Sequence, residues 1–117
     1  MGDDFWRDRF GPMLADTEAV PFGARRYAAF FVEPVQSEAG IRIPPPDHLA
    51  RVGELCHRDG SLPVVDEVQT GMFRTGRFLA SQGRGADPDI VVLAKALSGG
   101  LVPVSAVLIT DEIYESV

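Results

Sequence analysis

Three short apolar runs, each ending on an ionisable residue, constrain the fold of this chain more than any other feature. "AAFFV" is followed by Glu33 and Pro34, "LPVV" by Asp66, and "IVVLA" by Lys95. Such runs are short for helices and fit strands, the first of them buried on both faces. Phe30 and Phe31 accordingly read as core residues. Between the first two runs, "VQSEAGIRIPPP" has the Gly and Pro content of a loop, and its prolines stop any helix from continuing through it. "HLARVGELCHRD" then places Leu49, Val52, Leu55 and Cys56 at helical spacing on one face, with Asp47 as N-cap and Gly60 as terminator. Pro63 weakens the reading of the second run as a strand, or places the proline at the first strand position.

After Asp66, "EVQTGMFRTGRFLASQGRG" is polar and punctuated by glycine, with room for a short helix. A fourth run, "VSAVLI", follows the "SGGLVP" turn. Thr110 then caps an acidic segment, "DEIYESV", whose Asp111 and Glu112 suit the positive end of a helix dipole. Strand, helix, strand, connection, strand, turn, strand describes an α/β sheet. Residues 1–26 show no clear period and read as an irregular segment ahead of one unit over 27–117.

Composition narrows the function classes. A chain of 117 residues with a net charge of −6 has room for one small domain and is a poor match for nucleic acid. No apolar run approaches a membrane span, and "MGDDFWRDRF" lacks the apolar core of a signal peptide. The single cysteine, Cys56, excludes an intrachain disulfide and fits a reducing compartment, so a cytoplasmic location is expected. His48 and His57 have no neighbouring ligand pattern, and no metal site is expected. "GMFRTGRF" lacks the Gly-Lys-Ser/Thr ending of a phosphate-binding P-loop.

In open α/β sheets ligands gather outside the carboxyl ends of the strands. Glu33, Asp66 and Lys95 occupy such ends, which suggests that they face one crevice. Lys95 is the only lysine beside ten arginines. Arginine serves wherever a fixed positive charge suffices, but it cannot lose its proton and attack a carbonyl. A lone strand-end lysine opposite a carboxylate suits pyridoxal phosphate chemistry. That cofactor needs an amine for covalent attachment and an acid that keeps its pyridine nitrogen protonated. Asp66 can hold that proton through a charge-assisted hydrogen bond, and Lys95 can be both the attachment point and the proton shuttle.

The stretches "AAFFVEPVQSEAG", "DEVQTGMFRTGRF" and "PDIVVLAKALSGGLVPVSAV" resemble the central motifs of the class III aminotransferases of the ornithine and acetylornithine type. Three motifs in the family's order and separations make this resemblance specific over residues 27–117. It implies a partial, mixed, mostly parallel sheet from the large domain of a fold-type I pyridoxal phosphate enzyme. It also implies transfer of an amino group from an amine or amino acid to a 2-oxo acid, in a homodimer. Under the resemblance, Lys95 is the lysine that carries the cofactor and Asp66 the partner of its ring nitrogen. Gln69 approaches the ring's phenolic oxygen, and Val68 packs on the ring face. Glu38 is similar to a glutamate that pairs with a substrate-binding arginine, and Glu33 to a strand-end acid supporting the site.

Family members are several hundred residues long, so this chain reads as a slice of the large domain without the family's phosphate-binding loop or substrate-gripping arginine. The segment before Tyr27 is also shorter than in the family. A truncated, catalytically silent remnant is therefore the alternative reading. A receiver-like phosphoacceptor domain also combines strand-end acids with a lysine, but it needs an acidic pair at its first strand, where this chain has Glu-Pro.

Overall fold

The structure is a computed structural model describing residues 27–38 and 40–116. The irregular segment expected over 1–26 lies outside the described residues. Four strands, β1 (Ala29–Val32), β2 (Leu62–Asp66), β3 (Ile90–Leu93) and β4 (Ala106–Ile109), form one sheet in the order β1-β2-β3-β4. β1 and β2 are parallel, as are β2 and β3, whereas β4 returns antiparallel to β3. The mixed, mostly parallel sheet expected from the sequence is the one observed.

Helix α1 (His48–Asp59) connects β1 to β2 and buries Leu49, Val52, Gly53 and Cys56. These positions recur at the three- and four-residue spacing that forms one helical face. Leu55, expected on the same face, is only half-buried. Asp47 occupies the N-cap position without a side-chain capping bond. Its carboxylate instead lies 3.9 Å from the Arg51 guanidinium, one turn along. Gly60 ends the helix at φ 72°, a left-handed conformation glycine adopts without Cβ strain. In the last turn, His57 Nε2 lies 3.2 Å from Asp89 Oδ2, which ties α1 to the residue preceding β3.

Pro63 sits at the second position of β2 without costing the sheet a hydrogen bond. The amide of Leu62 donates to Ala28 O at 2.9 Å, so alternation turns the Pro63 nitrogen towards β3. Pairing with β3 begins only at Val64, opposite Ile90, and the Pro63 carbonyl accepts from Asp89 N at 3.1 Å.

Two expectations are corrected. β1 is not buried on both faces: it lies at the sheet edge, and Phe31 is 61% exposed while Phe30 is half-buried. An edge strand has a neighbour on one side only, and no described layer covers Phe31. The stretch after Asp66 forms successive turns rather than a short helix. A further helix, α2 (Asp111–Ser116), follows β4 and carries Asp111 and Glu112 in its first turn, as expected. Among the described residues no helix is long and apolar enough to cross a membrane.

The core is centred on β2, where Val64 and Val65 are 1% and 2% exposed, with Val91, Leu93, Leu49, Val52 and Cys56 around them. Burial pushes the Cys56 thiol above its ordinary value, and the carboxylates of Asp59 and Asp89 push it in the same direction. The folded chain thus holds this proton more tightly than the unfolded chain does. The contribution to stability is fully present below the ordinary thiol value and is lost as pH rises from there through the raised value of the folded chain. Alkylation of Cys56 by iodoacetamide at mildly alkaline pH is expected to be at least about tenfold slower in the folded protein than in urea, with mass spectrometry following the adduct.

Candidate active site at the strand ends

Parallel pairing brings the carboxyl ends of β1, β2 and β3 to one edge of the sheet. Val32 pairs with Val65 and Asp66 with Val92. Glu33 therefore follows β1 at the level where β2 ends in Asp66, and Lys95 lies three residues beyond the β3 partner of Asp66. The register thus places the three residues at the same edge of the sheet.

The turn after β2 orients Asp66. Its Oδ1 accepts the amide of Val68 at 2.9 Å, the closed form of an Asx turn. That leaves Oδ2 without a hydrogen-bond partner among the described residues. Val68 and Gln69 are half-buried in the same turn. Gln69 Nε2 donates to Glu38 Oε1 at 2.8 Å, joining the residue expected beside a cofactor ring to the one expected on the substrate side. Glu33 bends back on its own loop, with Oε2 accepting the Ser37 amide at 3.4 Å.

Lys95 begins a 3₁₀ turn (Lys95–Ser98) directly after β3. Its φ of 44° lies in the left-handed region, where a side chain with a Cβ is strained. The side chain is exposed, and its amine has no hydrogen bond or ion pair among the described residues. It opens on a concavity of about 410 Å³ lined by Ala94, Lys95 and the segment Val102–Ser105. The Asp66–Gln69 turn does not line that concavity.

These groups match the chemistry of a pyridoxal cofactor. A free primary amine suits an electrophilic carbonyl, a carboxylate oxygen without a partner suits a protonated ring nitrogen, and a fixed amide side chain suits a phenolic oxygen. Among the described residues no cluster of three or more metal-ligating side chains occurs.

Sequence reasoning missed Glu67. It lies between Asp66 and Gln69 and is 1% exposed, and both of its carboxylate oxygens accept hydrogen bonds. Only its place inside "DEVQTG" marked it, since nothing local distinguishes a buried glutamate from a solvated one at a strand-to-turn junction.

Comparison with known proteins shows the family and the fold. Residues 14–117 match the family model described as aminotransferase class-III. The chain is 48% identical to mitochondrial ornithine aminotransferase of Rattus norvegicus over 116 residues, covering 91% of this chain and 26% of that protein. The fold is similar to acetylornithine aminotransferase from Elizabethkingia anophelis, with TM-score 0.73, 48% identity, and 77% of this chain and 24% of that one covered. It is also similar to a PLP-bound amine transaminase from an uncultivated Pseudomonas species, with TM-score 0.73, 43% identity, and coverage of 76% and 20%. The chain thus spans about a quarter of the length of the relatives it matches.

The backbone strain at Lys95 yields a direct test. At ordinary positions alanine stabilises relative to glycine, but a left-handed residue reverses the order. Lys95→Gly is expected to be more stable than Lys95→Ala by about 1 kcal/mol, measured by denaturant unfolding of the two variants.

Proposed function

The chain belongs to the class-III aminotransferases, and on that premise we propose that it is the part of a pyridoxal phosphate-dependent aminotransferase that holds the reactive end of the cofactor. The reaction is amino-group transfer from an amine or amino acid to a 2-oxo acid. Relatives named for ornithine, acetylornithine and amine substrates match to similar extents, and the proposed donor is of the ornithine, acetylornithine, diamine or ω-amino acid type. The supporting observation is that Asp66 and Lys95 lie at the ends of adjacent parallel strands on the same edge of the sheet, one with a carboxylate oxygen and the other with an amine that have no partner among the described residues.

Pyridoxal phosphate, when bound, supplies an electrophilic carbonyl and an electron-accepting ring. Lys95 offers Nζ for covalent attachment and afterwards carries a proton at the same atom. Asp66 keeps Oδ1 on the Val68 amide and offers Oδ2 to the ring N–H. Val68 would provide apolar contact for the ring, and Gln69 would offer its amide to the phenolic oxygen. Glu38 stands on the substrate side, held by Gln69, and Glu33 stiffens the loop between them. The functional unit is proposed to be a homodimer. A cytoplasmic location rests on the single-cysteine composition; the rat relative is a mitochondrial protein.

The test is incubation of the purified protein with pyridoxal phosphate, reduction with borohydride, and peptide mass mapping. Lys95 is the sole lysine, so the only competing amine is the N-terminus. The expected adduct lies on Lys95 and is absent from Lys95→Ala, together with all transamination. Asp66→Ala is expected to keep the adduct and to lose kcat by at least about 100-fold. An adduct confined to the N-terminus, or undiminished activity in either variant, contradicts the proposal.

A further inference from the structure

Glu67 is the largest side chain among the described residues with under 2% of its surface exposed. Three donors converge on its carboxylate. Oε2 accepts the Thr70 hydroxyl and the Ala80 amide at 3.1 Å, and Oε1 accepts the Ser81 amide at 2.8 Å. No lysine, arginine or histidine among the described residues pairs with it. Burying a carboxylate is costly unless hydrogen bonds replace its hydration, and here main-chain and hydroxyl donors do so.

The backbone of Glu67 is tied equally closely. Its amide donates to Val92 O at 2.9 Å, extending the β2–β3 pairing by one rung, and its carbonyl accepts the Gly71 amide at 2.8 Å. The turn packs so tightly that a Cβ on Gly71 would sit 2.9 Å from both Glu67 O and Leu93 Cδ2. Residues 67–87 contain no helix or strand, so their shape depends on such cross-links. Glu67 joins the beginning of this excursion to its return at Ala80–Ser81, and joins both to β3 close to Lys95.

We infer that Glu67 is a positioning residue, fixing the carboxylate of Asp66 and the amide of Gln69 relative to Lys95. The inference rests on the roles proposed above for those three residues. Glu67 itself touches neither cofactor nor substrate. It acts through its neighbours, one peptide bond from Asp66 and two residues from Gln69. An amide in its place presents an NH₂ group to main-chain donors, which then compete for a single acceptor oxygen. The turn opens, and the Val68 amide that reports the orientation of Asp66 loses its protection.

The experiment compares Glu67→Gln with Val52→Ala, which weakens the α1 interface away from the strand ends. Hydrogen exchange at the Val68 amide is measured without cofactor, and the pyridoxal phosphate dissociation constant is measured separately. Glu67→Gln is expected to speed Val68 exchange and weaken cofactor binding, each by about tenfold or more, with the pH midpoint of the bound cofactor's visible band displaced. Val52→Ala, at comparable loss of global stability, is expected to leave all three near wild type. Val68 exchange and cofactor affinity that change no more in Glu67→Gln than in Val52→Ala overturn the inference. If Glu67→Gln does not fold, Glu67→Asp, which shortens the reach of the same carboxylate, is read by the same criteria. Failure of the wild-type protein to attach cofactor at Lys95 contradicts the functional proposal instead, and the Val68 amide still decides the question of Glu67.

Discussion

Parallel pairing of β2 with both of its neighbours is the constraint on which everything else in this structure depends. In a parallel sheet, adjacent strands end on the same side, and the loops that leave them share a crevice. The register from Val32 to Val65 and from Asp66 to Val92 carries Glu33, Asp66 and Lys95 to that side. Helix α1 makes the first parallel step possible, because a crossover of that length returns the chain to the amino end of the next strand. The side chains that hold α1 to the sheet are therefore remote from the chemistry and still a condition for it.

At the strand ends, the cost of forming the site is distributed over several local devices. Lys95 is held in a left-handed backbone conformation, and the Glu67 side chain is buried with no cationic partner among the described residues. Asp66 spends one oxygen on its own turn and keeps the other available. Strain and buried charge of this kind persist where surrounding structure over-determines them. The lysine needs no fold-specific reason for its charge, since arginine would serve that purpose. In the proposed role, its value lies in an amine able to exchange a proton and form a bond to carbon.

Much of the fold was legible because its signals are local. Leu49, Val52 and Cys56 announce a helix face by spacing, and Gly60 announces its end by the conformation it alone adopts easily. The positions of Asp66 and Lys95 at strand ends were legible because each interrupts an apolar run, and the family motifs then suggested the roles proposed for them. What stayed hidden depends on partners distant in sequence. Phe31 resembles a core residue in composition, yet nothing in "AAFFV" states that β1 lies at an edge. Glu67 resembles a solvated acid until Ala80 and Ser81 fold back onto it. The hydrogen bond from Gln69 to Glu38 likewise joins two loops 31 residues apart, and no local pattern encodes it.

The central claim is that the strand ends carrying Asp66 and Lys95 form the two sides of one cofactor site. An amide-resolved NMR titration of the uniformly ¹⁵N-labelled protein with pyridoxal phosphate tests it most directly. A shared site gives saturable shifts at Val68 and Gln69 together with Ala94–Leu97, at one common dissociation constant, while the exposed face of α1 stays still. Shifts confined to one of the two strand ends, or two groups of shifts with unrelated dissociation constants, would contradict a single shared site.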